Sequence, residues 1–154
     1  MSKQPHWHHQ RTCGNIYHEF HMWSLSTKLG EASITPGVLF TEFDNVVPDV
    51  VWISNERLAA LMDEAGHLTG APELVVEVLS PGPENERRDR EAKLKLYESR
   101  GVREYWIVDW RLRQVEVYRR EQALLRLIAT LFAEDELASP LLPGLTCPIT
   151  RLFT

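Results

Sequence analysis

Three charged residues stand where the surrounding pattern is apolar. Glu77 interrupts ELVVEVL (73 to 79), Asp49 follows Pro48 and opens the apolar end of VVPDVVWI, and Lys93 lies within ENERRDREAKLKLYESRG (84 to 101). An ionised carboxylate taken out of water is costly unless something pairs with it or it coordinates a cation. Two carboxylates at one sheet end, with the backbone carbonyl of Val78 as a third oxygen, make a half-shell suited to Mg²⁺, an ion that keeps several waters and needs few protein ligands. An ammonium beside them can steady a hydroxide or the charge developing at phosphorus. Phosphodiester cleavage needs this set. Each residue also has a plainer reading. Glu77 could pair with one arginine or lie near a strand end, Asp49 could serve as a turn residue, and Lys93 could pair with Asp89 four residues upstream.

The elements that must position these side chains follow from periodicity. Residues 5 to 29 read as a helix with His9, Cys13, Ile16, Phe20 and Trp23 on one face and Gly30 as its stop. Strands are expected at 37 to 43, 49 to 53, 73 to 79, 103 to 110 and 114 to 120, with another inside 124 to 132. Residues 55 to 65 suit a short helix or loop. SPGP (80 to 83) must end the third strand, and residues 84 to 101 form a charged helix stopped by Gly101. Residues 139 to 153 read mostly as turns and docking contacts. Strand 73 to 79, the charged helix and strand 103 to 110 form a crossover between parallel strands, and 114 to 120 returns antiparallel. The fold class is therefore α/β, a mixed β-sheet flanked by helices, in one domain over residues 1 to 154. Both faces of strand 73 to 79 are then covered, so Glu77 cannot face solvent. At about 100° per residue, Ala92, Leu96 and Tyr97 define the inward arc of the charged helix. Asp89, Lys93 and Arg100 project within that arc, whereas Glu91, Lys95 and Glu98 point away.

The formal net charge of −5 argues against a general polyanion binder. Residues 85 to 126, however, carry 12 Lys and Arg against 8 Asp and Glu, a basic region able to hold phosphate locally. Cys13 and Cys147 form neither a disulfide framework nor a zinc motif. The start lacks an apolar signal core, and the run ALLRLIATLF is too short to span a membrane, which makes cytoplasmic the expected location. His6, His8, His9, His18 and His21 fit no compact ligand set and read as surface or packing residues, with His9 on the apolar face beside the site or core. Trp23, Trp52 and Trp106 lie in patterned elements and read as core.

VVPDVVWIS, PELVVEVLSPGPENERRDREAKLKLY and GVREYWIVDW resemble the Uma family of restriction-endonuclease-like proteins, within the PD-(D/E)xK superfamily, from about residue 9 to 154. The resemblance implies a restriction-endonuclease-like core and an endonuclease that uses Mg²⁺ (or Mn²⁺) to cut DNA, leaving a 5′-phosphate and a 3′-hydroxyl. Asp49 matches the first acid of the motif and Glu77 the second. Leu79 stands where the superfamily pattern has lysine, and Lys93 on the following helix matches the relocated amine. Asp89, Tyr97, Tyr105 and Asp109 fall on motif positions with supporting roles. Family members often carry a further N-terminal segment with a glutamate, whereas this chain begins at the first long helix. Glu19 or a water could replace that acid. A homodimer is expected by analogy with nucleases that cut both strands. Two rival readings remain: a catalytically degenerate member that binds DNA or a protein partner, and an oligomerisation domain with Glu77, Asp89, Lys93 and Arg100 in a buried ion network.

Overall fold

The computed structural model describes residues 4–154. The face formed by His9, Cys13, Ile16, Phe20 and Trp23 is buried along a helix, α1 (Trp7–Thr27). This helix stops before Gly30, because Lys28 turns left-handed (φ 58) and its N–H closes on the Ser24 carbonyl. Gly30 instead opens a strand that the periodicity did not reveal, β1 (Gly30–Ile34). A side chain at Gly30 would collide with the Ile53 carbonyl and the Trp52 ring, so only glycine lets this strand enter the sheet.

Residues 37 to 43 do not form one strand. A short strand β2 (Val38–Leu39) pairs antiparallel with β3 (Asn45–Val46). Between them the chain folds back as Thr41 Oγ1 accepts from the N–H groups of Phe43 and Asp44. Next come β4 (Val50–Ser54), a short helix α2 (Asn55–Leu61) capped by Ser54, and β5 (Leu74–Val78). The charged helix is three pieces rather than one: α3 (Pro83–Arg87), a π-helical turn (Arg88–Ala92) and α4 (Lys93–Ser99). Strands β6 (Glu104–Asp109), β7 (Gln114–Glu121) and β8 (Leu124–Leu131) follow. The C-terminal segment is more ordered than turns alone. It holds a small antiparallel pair, β9 (Glu136–Ala138) with β10 (Thr146–Pro148), and a 3₁₀ helix (Ile149–Phe153) packed against α1.

The main sheet runs β1-β4-β5-β6-β7-β8 and is mixed: β5 and β6 are parallel, and the other neighbours are antiparallel. One face carries Trp52, Val76, Val78, Trp106 and Val108 against α1 and the C-terminal segment. The opposite face carries Val51, Val75, Leu79, Tyr105 and Ile107 against Tyr97 of α4. This is the expected α/β architecture of a mixed sheet flanked by helices.

The π turn bears directly on the site. The Lys93 N–H reaches back five residues to the Arg88 carbonyl, and the Tyr105 hydroxyl donates to the Asp89 carbonyl at 2.9 Å. Widened turns of this kind concentrate at functional positions. Asp89 and Tyr97 are buried, as the inward arc requires, but Ala92 on the same arc is exposed. Glu98, expected to point away, accepts from the Leu125 N–H at 2.8 Å. Replacing Tyr105 by Phe removes the only side-chain donor to the Asp89 carbonyl among the described residues. The expected cost is about 1 kcal/mol, read as a lower urea midpoint at unchanged m-value. An unchanged midpoint would show that the hydroxyl does not secure the turn.

Candidate active site

All five residues of β5, LVVEV, are buried. Paired strands enclose both edges and packed layers both faces, so Glu77 is only 2% exposed. It projects with Val75 and Leu79 toward α4, as alternation demands. The β4–β5 register sets Val50 opposite Val76 and Val51 opposite Val75. Extended one step, it sets Asp49 opposite Glu77, and opposed residues share a face with Cβ atoms about 5 Å apart. The Val78 N–H donates to Asp49 Oδ2 at 2.7 Å, so the strand bearing the second acid also fixes the first.

The helical side supplies the cation. Lys93 Nζ lies 2.9 Å from Glu77 Oε2 and 3.5 Å from Asp89 Oδ1, and the Tyr97 hydroxyl donates to the same Glu77 oxygen at 2.7 Å. Burial raises the Glu77 pKa to about 7; Lys93 pulls it down, while Asp49 and Asp89 push it up. Burial works against charge on Lys93 too, but Glu77 and Asp89 outweigh it and hold the ammonium above its ordinary range. Asp89 is raised, first by burial, and its Oδ1 has no hydrogen-bond partner, only the longer contacts to Lys93 and to Arg88 Nε at 3.6 Å. Tyr97 and Tyr105 are raised by burial and by the Glu77 charge, so they stay neutral donors.

His9 belongs to the site more firmly than its sequence position suggested. It reaches from α1 around the sheet end, with Nε2 2.9 Å from the Val78 carbonyl and 3.6 Å from Asp49 Oδ2. Nδ1 lies 2.8 Å from Gln10 Oε1. Burial lowers its pKa, but the contacts with Asp49 and Cys13 prevail and raise it to about 11. Donor atoms of His9, Cys13 and Asp49 lie within 4.8 Å of one another. Both His9 nitrogens already face acceptors, and burial raises the Cys13 thiol pKa, so His9 acts here as a hydrogen-bond donor to the Val78 carbonyl, with its positive charge beside Asp49. A histidine on an otherwise apolar helix face was the available signal.

Asp49, Glu77, Val78, Asp89 and Lys93 line one cleft of about 520 Å³, with His9 and Arg88 at its walls. Tyr97 and Tyr105 stand behind it. Asp109 does not reach the cleft: its Oδ1 accepts from the N–H groups of Arg111 and Leu112 and shapes the β6–β7 turn. Glu19 is no replacement acid, since it pairs with Arg151 at 3.0 Å. Arg100 pairs with Asp44 at 3.1 Å and stays outside the Glu77 network. The donor set suits a hard divalent cation: among the described residues Asp49 Oδ1 and Glu77 Oε1 carry no hydrogen bond, and the space beside them admits an ion with its waters.

A mixed sheet whose acids meet a helical lysine at a strand end defines a restriction-endonuclease-like domain. The sequence profile described as "Uma2: Putative restriction endonuclease" matches residues 1–150, and the chain belongs to that family. Its fold is similar to the crystal structure of "a putative nuclease belonging to DUF820" from Anabaena variabilis ATCC 29413. That likeness has a TM-score of 0.77 at 19% identity and covers 99% of this chain and 84% of the other. No curated protein matches. Among the described residues no helix is long and apolar enough to cross a membrane.

The raised Glu77 pKa fixes a sign. The folded state holds this proton more tightly than the unfolded chain, so the contribution of Glu77 is fully present below about pH 4.5 and is lost as pH rises through 7. Relative to wild type, metal-free Glu77→Gln should gain stability between pH 5 and 8, by up to about 3 kcal/mol. Denaturant melts at each pH would reveal it, and parallel curves for the two proteins would refute the assignment.

Proposed function

We propose that this chain is a Mg²⁺- or Mn²⁺-dependent endonuclease that hydrolyses phosphodiester bonds in DNA. The observation that carries this reading is the convergence of Asp49, Glu77 and Lys93 on one open cleft, with Lys93 Nζ 2.9 Å from Glu77 Oε2. Asp49, Glu77 and the Val78 carbonyl would hold the cation. When bound, the cation supplies Lewis-acid polarisation of the phosphate and a more acidic water. The chain's own groups do the positioning. The Val78 N–H orients Asp49 beside the His9 ring, while Tyr97 anchors Glu77 Oε2 and leaves Oε1 free of hydrogen bonds among the described residues. The Lys93 ammonium steadies negative charge on the attacking oxygen or the phosphate. Asp89 keeps that ammonium charged, and Arg88 at the rim draws in the phosphate. A cytoplasmic homodimer would bring two such clefts to the two strands of a duplex.

The rival reading is a degenerate member that binds DNA or a protein partner, or oligomerises. It draws on one observation: Glu77 Oε2 already accepts from both Tyr97 and Lys93. Plasmid nicking in Mn²⁺ separates the readings. Asp49→Asn, Glu77→Gln and Lys93→Met should each lose about a hundredfold or more in rate. Equal nicking by wild type and all three variants would place the activity elsewhere.

Calorimetry with Mn²⁺ gives an independent check. Glu77 must release its proton to ligate, so affinity should rise about tenfold per pH unit below 7 and level off above it, with proton release visible between buffers of different ionisation enthalpy. Absence of binding heat across this range would favour the non-catalytic reading.

A further inference from the structure

The two walls of the cleft differ in kind. The π turn stands over β6 and β7, because the Tyr105 hydroxyl holds the Asp89 carbonyl and Arg90 pairs with Glu116 of β7. From this side Arg88 and Lys93 line the cleft. The other wall comes from the β4 side of the sheet. Asn45 and Val46 of β3, and Val47 on the way to Asp49 and β4, line the same space. Glu77 lies on β5, between β4 and β6, so the two cations and the β2–β3 hairpin flank it on opposite sides. The hairpin has no means of holding a phosphate. Residues 38 to 47, VLFTEFDNVV, contain no Lys or Arg and two acids. Arg100 reaches it from α4, but pairs with Asp44 at 3.1 Å and lies over the Phe40 ring at 5.3 Å. Phe40 and Val46 pack against the core, which leaves Leu39, Phe43, Asn45 and Val47 exposed. Phe43 is 86% exposed, and Val47, on the cleft itself, 57%. Single apolar residues are ordinary on a surface, but three on one short hairpin bordering a cleft are not scattered. Thr41 and the Asp44 carbonyl fix the bend that carries Phe43, whose Cα lies within about 7 Å of that of Asn45, two residues on. A planar ring, an apolar side chain and an amide that both donates and accepts suit the face and edge of a base.

Resting on the nuclease reading above, we propose that the cleft takes a strand with its phosphates toward Arg88 and Lys93 and its bases toward the hairpin, so that the substrate is DNA whose bases are unpaired at the site of cutting. In a closed duplex the base faces are stacked on their neighbours and only the groove edges are open. Phe43 can therefore stack only on a base that has left the helix. A single strand supplies such bases, and so does an opened step within a duplex. A second copy of the chain, seated on the hairpin, is the competing occupant. Asn45 and Val47 belong to the cleft as well as to the hairpin, so a copy seated there would obstruct the acids, which favours the strand.

The test is fluorescence anisotropy in Ca²⁺ with three labelled oligonucleotides of one sequence: a single strand, a closed duplex, and a duplex with a central non-complementary loop. Wild type should bind the looped duplex, the single strand or both more tightly than the closed duplex, and which of them it prefers identifies the source of the unpaired bases. Phe43→Ala should lose about tenfold in affinity for the preferred form and nothing for the closed duplex, with its salt slope unchanged because no charge is removed. Phe43→Trp, which keeps a ring, should bind as wild type does. An unmoved urea midpoint, expected for a side chain in solvent, reports that both variants are folded. Equal affinity for all three oligonucleotides, unaltered by Phe43→Ala, would overturn the base contact and leave the nuclease reading standing if wild type still nicks plasmid. A wild type that discriminates through Phe43 yet cuts no DNA would support the base contact and overturn the nuclease. Sedimentation showing a wild-type dimer that Phe43→Ala dissociates, with oligonucleotide binding unchanged, would overturn the base contact in favour of the second copy.

Discussion

Glu77 is an ionisable group near the end of a strand whose residues are all buried, and the surrounding structure answers that one cost. Lys93 and Tyr97 supply at Oε2 what water no longer can. Lys93 is then itself an inward-facing charge on a helix, and Asp89 lies one turn away to balance it. Asp89 is buried in its turn, and the Tyr105 hydroxyl pins its backbone to β6. Each partner creates the need for the next. The result is a chain of groups running from the sheet into the helix and back, all fixed relative to one carboxylate.

The two layers of the domain meet at Val78. Its N–H is directed to Asp49, and its carbonyl faces the His9 ring from α1 on the opposite face of the sheet. The β5 end therefore joins the strand that carries the first acid, the strand that carries the second, and a helix from the far layer. The π turn completes the arrangement from the near layer, changing the phase of the charged helix where Asp89 and Lys93 must both face inward. Rigid elements on both sides leave the cleft little freedom to rearrange, which is how a preorganised polar site differs from a patch of surface charge.

Much of this could be read from the chain. Glu77 was conspicuous because strand periodicity leaves no exposed position for it, and Lys93 because helical periodicity turns it inward. Their partnership follows from the crossover between β5 and β6. Asp49 was harder to place, since an acid after proline is ordinary turn chemistry. What removes the ambiguity is the register of β4 against β5, a non-local property absent from either segment alone. His9 carried a weak signal for the same reason: its role depends on reaching across the sheet end to a backbone atom 69 residues away. The strand at Gly30 was invisible because GEASI has no clean alternation, and what allows it there is missing side-chain volume against Trp52. Asp109 illustrates the opposite failure: a motif position proved to serve a turn.

The charge balance bears on whether the ion network is an end in itself. Asp49, Glu77 and Asp89 face Lys93 and a protonated His9, so full ionisation leaves one surplus negative charge in a poorly hydrated place; Arg88, half exposed at the rim, is screened by solvent. Glu77 relieves the surplus by holding its proton to about pH 7. A network selected for stability alone would have little use for that surplus, because apolar side chains of similar volume fill such space at lower cost. On the proposed reading the surplus has a purpose. A divalent cation on Asp49 and Glu77 displaces the proton and takes the local balance from zero to one net positive charge, which is what a cleft must present to a phosphodiester. The same balance explains why Lys93 can sit against Glu77 without closing the site: it compensates one carboxylate oxygen and leaves the other without a hydrogen bond among the described residues.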